Sequence, residues 1–268
     1  MKQQFRDMLD AMHRYNRGSL AKELFGLDPY EHYDLLVVAP SWHPAKIFSE
    51  VRVLVSSLAD HAVTKGWRLD WTNKKIAWVH CSRGAANLID SLSVCGELNF
   101  SRMLFVDSAG SLVPDYRVGD FCTPSHAVSG VGANAYLGKR LADYRPFEKV
   151  LPNDPAFVSE VIGLARKAGH TLREASVFSA DSLEMEYYHL DEIRSHGCDL
   201  IEMETSSFYL LADLMEKPAA ALLVVSDSMA EGGADFSPLA GRSEAECAPY
   251  EKTRLRAVPE TILKVAGM

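Results

Sequence analysis

The chain has 268 residues, 47% of them hydrophobic, and a formal net charge of −8. That is apolar material for one large core, and no run of Lys and Arg exceeds two residues, so neither nucleic acid nor an anionic membrane is favoured as a partner. No apolar run approaches the roughly 18 residues of a membrane span, the N-terminus is charged, and Cys81, Cys95, Cys122, Cys198 and Cys247 are scattered without a C-x-x-C pair. The expectation is a cytoplasmic protein with reduced thiols and neither signal peptide nor transmembrane helix.

Residues 1–33 carry Phe5, Met8, Leu9 and Met12, then Leu20, Leu24 and Phe25, at helical spacing on either side of Asn16-Arg17-Gly18. Two short amphipathic helices are predicted, an appendage ahead of a single domain spanning 34–268, with an apolar stripe that packs on that domain or on a neighbouring subunit. Leu35 to Ala39 predicts the first buried strand. It ends in Pro40-Ser41-Trp42-His43-Pro44, before a helix through Ala45, Ile47 and Phe48. Ile76 to His80 predicts another strand, and Cys81-Ser82-Arg83-Gly84 then turns into a helix whose free N–H groups suit an anion, with Arg83 beside them.

Met103 to Val106 is the next predicted strand, leading into Asp107-Ser108-Ala109-Gly110, and Val118 to Val131 is rich in strand formers and glycine. Gly130 to Ala135 has the glycine spacing of part of a dinucleotide fingerprint but no strand-to-helix setting, and is set aside. Asp154 caps a helix running to Gly169 with Pro155 in its first turn, and Ala175 to Ser179 forms a strand. Asp199 to Met203 is read as a strand, the spacing of Phe208, Leu211, Ala212 and Met215 as a helix stopped by Lys217-Pro218, and Ala220 to Val225 as a second buried strand. Strand, helix, strand is the unit of a parallel sheet, so Glu202, Glu204 and Asp227 are expected on two adjoining strand ends, the edge where α/β sheets bind ligands. Ser228 to Ala240 reads as a loop covering that edge. Ala245 to Val265 reads as a closing helical region split by Pro249 and Pro259.

Carboxylates gathered at one edge can divide their work. A glutamate accepts hydrogen bonds from sugar hydroxyls, while a partly buried aspartate kept protonated acts as an acid, a pairing that suits the breaking of a glycosidic bond. An isolated acid would read as a solvated strand end or a helix cap; three acids flanked by apolar residues point to a site.

Ile201-Glu202-Met203-Glu204 with the small-residue helix after it, and Val225-Ser226-Asp227, resemble the signature half of the nucleoside phosphorylase family, which comprises purine nucleoside phosphorylases, uridine phosphorylases and related nucleosidases. Phe178-Ser179-Ala180-Asp181 is similar to the family's base-pocket segment, and Asp107 to Leu112 with Val118-Gly119-Asp120 to its phosphate loop; the resemblance runs from about Asp34 to the C-terminus. It implies a three-layer α/β/α fold with a mixed, partly closed central sheet. It implies cleavage of the ribosyl C–N bond of a nucleoside, a purine favoured, by phosphorolysis to base and ribose 1-phosphate. Glu204 would grip the ribose 2′-hydroxyl with Glu202 beside it, Met203 would pack on the sugar, and Asp227 with Ser226 would meet the base. Ser108, Arg83 and Ser41 would hold the nucleophile, and Ala180 and Leu183 would line the base pocket. Inorganic phosphate is the implied co-substrate, with no metal or other cofactor, and the family's habit is a homo-oligomer, dimeric or hexameric.

The chain departs from the family at the phosphate loop. Where the phosphorylases have an arginine two residues before a glycine, it has Phe105 and Asp107, and the first strand's turn carries Ser41 and Trp42 in place of an arginine or the nucleosidases' glutamate. Hydrolysis by water, and nucleoside binding without turnover, are therefore the alternatives to phosphorolysis.

Overall fold

The computed structural model describes residues 1–230 and 243–268; the loop expected over the site, Ser228 to Ala240, lies largely outside the described residues. In chain order come α1 (Gln3–His13), α2 (Leu20–Phe25), β1 (His32–Tyr33), β2 (Leu35–Val38), α3 (Pro44–Ile47), β3 (Leu54–Asp60), β4 (Lys65–Trp71), β5 (Lys74–His80) and α4 (Ala85–Val94). The middle of the chain gives β6 (Asn99–Phe100), β7 (Met103–Ser111), β8 (Phe121–Ser129), β9 (Lys149–Val150), α5 (Pro155–Lys167) and β10 (Arg173–Ser179). The last third gives α6 (Leu183–Tyr188), α7 (Leu190–Ser195), β11 (Leu200–Glu202), α8 (Thr205–Met215), β12 (Ala219–Ser228), α9 (Glu244–Lys252) and α10 (Val258–Ala266).

One mixed sheet organises these elements, in the order β11-β10-β8-β12-β7-β2-β5-β4-β3. Its first five strands close on themselves, because β11 also pairs with β7, Leu200 opposite Ser111 and Ile201 opposite Gly110. The result is a five-strand barrel continued by an open sheet, the partly closed three-layer arrangement expected. Strand periodicity sorts the core. Leu222 and Val224 join Leu35, Val37, Leu104 and Val106 under α5 and α10, whereas Leu223 and Val225 join Leu36, Val38 and Phe105 under α4 and α8.

Closure corrects the expected neighbourhood of the two strands that flank α8. They do not adjoin: β12 lies between β7 and β8, β11 lies against β10 and β7, and β7 is parallel to β12 but antiparallel to β11. The ends of β11 and β12 meet across Gly110 of β7, which pairs with both Ile201 and Asp227. A Cβ at Gly110 would lie 3.0 Å from an Asp227 carboxylate oxygen and 3.2 Å from Ile201, so only glycine leaves that junction uncrowded.

Two further departures have local causes. The hairpin β3–β4, absent from the sequence reading, has an edge strand whose residues are mostly exposed or half-buried, and such a strand carries no apolar alternation. The prolines do not split the C-terminal helix either. Pro249 sits inside α9, the chain continues through a widened π turn at Thr253–Ala257, and Pro259 falls in the first turn of α10.

Residues 1–33 share the main core. Phe5, Ala21, Phe25 and Leu27 are fully buried in the cluster beneath α4 and α8. The Glu97 carboxylate accepts from the Ser19 hydroxyl at 2.5 Å and from the Leu20 and Ala21 N–H groups, so a distant acid serves the first turn of α2. At Gly66 of β4 an added Cβ would come within 1.9 Å of the Phe25 carbonyl oxygen. Phe25→Ala is therefore expected to cost about 3–5 kcal/mol of unfolding free energy, as for any large core aromatic. Urea unfolding that registers less than about 1 kcal/mol would show the N-terminal helices to be merely appended.

Candidate active site

The turn after β11 is built by Glu202. One carboxylate oxygen accepts from the Ser179 hydroxyl at 2.6 Å, and the other from the N–H groups of Glu204 and Thr205, both at 2.7 Å. Ser179 Oγ in turn accepts from the Ser206 N–H at 3.0 Å. The first N–H groups of α8, which have no partner within the helix, are thus satisfied by side chains from β10 and β11. Glu202 lines the cavity described below, but its oxygens are engaged in shaping this turn. Burial pushes its carboxyl up, against these hydrogen bonds.

That turn aims Met203 and Glu204 into a cavity of about 680 Å³. Glu204 is buried and accepts from the Gly84 N–H at 2.5 Å. Gly84 has φ +97°, a left-handed conformation that lets the chain after β5 deliver this N–H as it enters α4. Burial, then the Asp107 and Glu202 carboxylates, push the Glu204 carboxyl well above the usual range.

Asp107, on β7, is the third acid of this end, and Ser41 Oγ donates to it at 2.6 Å. Burial pushes its carboxyl up to about 6, against that hydrogen bond and the positive charge of Arg83. Arg83 itself is exposed and lines the cavity beside it. Ser108 lines the same wall, its hydroxyl 2.7 Å from that of the buried Tyr250 in α9. Phe105 is displaced from any phosphate role: its ring is fully buried, 5.6 Å from Phe208, in the core under α8.

At the other end stand Ser226 and Asp227. Successive residues of a regular strand face opposite ways, yet both line the cavity, because the β7–β12 register shifts between Val225 and Asp227. Ser226 Oγ donates to Asp227 at 2.5 Å. α6 forms the facing wall through Leu183, Glu184, Glu186 and Tyr187, its first turn capped by Ser182. Of the residues expected in the site, Ser41, Arg83, Ser108, Leu183, Glu202, Met203, Glu204, Ser226 and Asp227 line this one cavity. Ala180 does not: it lines a separate cavity of about 290 Å³ behind α6. The sequence reading passed over Glu186 as a site residue, although it stands three residues after Leu183, a spacing that shares one helical face. Among the described residues no group of His, Cys, Asp and Glu is arranged to hold a metal ion, and no helix is long and apolar enough to cross a membrane.

Residues 37–262 match the phosphorylase superfamily. The chain belongs to that family. Among solved structures it is similar to the 5′-methylthioadenosine/S-adenosyl homocysteine nucleosidase of Campylobacter jejuni, with TM-score 0.66 and 15% identity over 87% of this chain and 98% of that one. No curated protein matches it in sequence. At this identity the likeness establishes the nucleoside phosphorylase and nucleosidase fold and nothing finer.

The two glutamates of the motif should separate by experiment. Glu202→Leu strands two backbone N–H groups and a hydroxyl in a buried place and is expected to cost at least about 2 kcal/mol. Glu204→Gln keeps an acceptor for the Gly84 N–H and should change stability by less than about 1 kcal/mol. Chemical denaturation that ranks them the other way would overturn the division of labour.

Proposed function

We propose that this protein cleaves the ribosyl C–N bond of a purine nucleoside with water as the nucleophile. The observation that carries this is Asp107, a buried carboxylate held by Ser41 at the place of the family's phosphate loop. Its carboxyl, pushed up to about 6, is mostly ionised at neutral pH yet close enough in affinity to take a proton from water, the condition for a general base. The structural neighbour is described as a nucleosidase, and its fold hosts such a reaction.

The roles follow from position. Glu204 and Met203 meet the ribose, Ser108 and Asp107 hold and activate the water, Leu183 and Tyr187 flank the base, and Asp227 with Ser226 faces the leaving nitrogen. As the C1′–N bond lengthens, positive charge grows on the sugar, and the carboxylates around it are placed to stabilise that charge. The water oxygen bonds to C1′ and its proton goes to Asp107. The electron pair of the broken bond passes to the base, which is protonated from the Asp227 end.

Phosphorolysis is the second reading, and Arg83 is the observation in its favour, a cation lining the cavity next to Asp107. A panel of nucleosides incubated with and without phosphate separates the two. Release of free ribose and purine at a rate phosphate does not change is the expected result; phosphate-dependent ribose 1-phosphate would overturn hydrolysis, and nucleoside binding without turnover would leave a binding protein. Because Asp107 must be ionised, kcat/KM should rise as pH rises through about 6. Asp107→Asn should lower kcat by roughly 10²–10⁴-fold. A pH profile flat between 5 and 7 would exclude Asp107 as the base.

A further inference from the structure

Behind Ser108 stands Tyr250 of α9, a residue 1% exposed whose hydroxyl lies 2.7 Å from the serine's. Its ring is held on several sides. The Trp42 indole meets it edge-on, with centroids 6.4 Å apart, and the Arg254 guanidinium lies over it, 5.4 Å from its centre. The helix and the turn after it are locked to the turn before β8: the Thr253 hydroxyl donates to the Gly119 carbonyl at 2.6 Å, and a Cβ added at Gly119 would come within 2.7 Å of Pro249. The Gly119 N–H in turn donates to the carbonyl of Val225, the residue before the bulge in β12. One helix is thus tied to Ser108, to the turn that carries Ser41 and to the strand end that carries Asp227. Its tyrosine hydroxyl is a fixed point against which a site hydroxyl can be set.

A serine hydroxyl has one hydrogen, and where it points decides what Ser108 offers the cavity. Burial pushes the Tyr250 phenol up, against its contacts with Ser108 and Arg254, so the phenol keeps its own hydrogen at neutral pH. A guanidinium is all donors, and its charge drives that hydrogen away from Arg254 and onto the Ser108 oxygen. We propose that Tyr250 donates to Ser108 and thereby fixes the Ser108 hydroxyl as a donor into the cavity, which makes Tyr250 a positioning residue for the nucleophile. The proposal rests on the nucleoside-cleaving reading of the site. With Ser108 donating to its oxygen and Asp107 accepting its proton, an attacking water is set in orientation as well as in place, and an anchored donor needs no reorganisation as the new bond forms. Without the Tyr250 hydroxyl, Ser108 can turn its hydrogen elsewhere.

The test is a double-mutant cycle on the purine nucleoside that the wild type cleaves fastest, with Tyr250→Phe, Ser108→Ala and the two together. Tyr250→Phe keeps the ring between Trp42 and Arg254 and should lower kcat about 10-fold, with KM changed by less than about twofold. In the Ser108→Ala background the same change should lower kcat by less than about twofold, because its effect passes through Ser108. Arg254→Met removes the cation and leaves both hydroxyls. It should lower kcat about threefold, again only where Ser108 is present. Losses that multiply in the double variants, or a Tyr250→Phe enzyme with the wild-type kcat, would overturn the proposal and leave Tyr250 as packing. If circular dichroism shows that Tyr250→Phe does not fold, the Arg254→Met cycle decides on the same criterion. A wild type that cleaves no nucleoside overturns the nucleoside-cleaving reading and this role with it, whereas an active wild type with multiplying losses overturns this role alone.

Discussion

The site depends on one buried carboxylate that need not touch a ligand. Glu202 accepts from the Ser179 hydroxyl and from two N–H groups at the start of α8, and so joins β10, β11 and α8 at one point. Three jobs follow from that single contact. It satisfies donors that a helix start leaves orphaned, it fixes where β11 stops, and it turns the next two side chains into the cavity. Closure of the barrel then brings β7 against β11, and the bulge at Ser226 turns Asp227 to the same side. Glu204 and Asp227 are thus positioned by backbone geometry before any ligand arrives, the preorganisation that electrostatic catalysis requires.

Crowding acids into one hollow has an electrostatic consequence. At the sugar end Asp107 and Glu202 raise Glu204, while at the base end Asp227 and Glu184 raise Glu186. A fold can tolerate this if some of the carboxyls stay neutral or accept fixed hydrogen bonds, and both remedies are present. Among the described residues Glu202 accepts from the Ser179 hydroxyl and from the Glu204 and Thr205 N–H groups, and Glu204 from the Gly84 N–H.

How much of this could be read in the sequence varied with the kind of signal. Buried strands and helices such as Leu35–Val38, Thr205–Met215 and Ala219–Ser228 were legible because apolar runs and periodicity encode burial directly. The acids at Glu204 and Asp227 were legible as strand-end residues in apolar surroundings. What brings them together was not: antiparallel pairing of β11 with β7 is a long-range contact, and strand-helix-strand order suggested two adjoining strands instead. Glu186 was missed for a related reason. A glutamate in a short helix reads as solvated, and its burial between the two cavities is a matter of where the fold places α6. Phe105 illustrates the converse, a position that the resemblance matches to a family arginine but whose side chain is committed to the core under α8.

The charge at the nucleophile's end bears most directly on the choice of co-substrate. A phosphate dianion brought within about 5 Å of one carboxylate, at an effective dielectric of about 20, is repelled by roughly 6–7 kcal/mol. An arginine at the same distance cancels that amount and no more. Near pH 7 Asp107 is mostly ionised, so Arg83 does little beyond neutralising it, and a dianion finds no net attraction. Arg83 is also exposed, where solvent screens its charge more than that of the buried Asp107. Water faces none of these terms. It gains from an adjacent carboxylate that can take its proton, and Ser41 holds that carboxylate in place. The substitution that spoils an anion site is thereby the one that equips a hydrolytic site, which is why the same residue argues on both sides of the comparison.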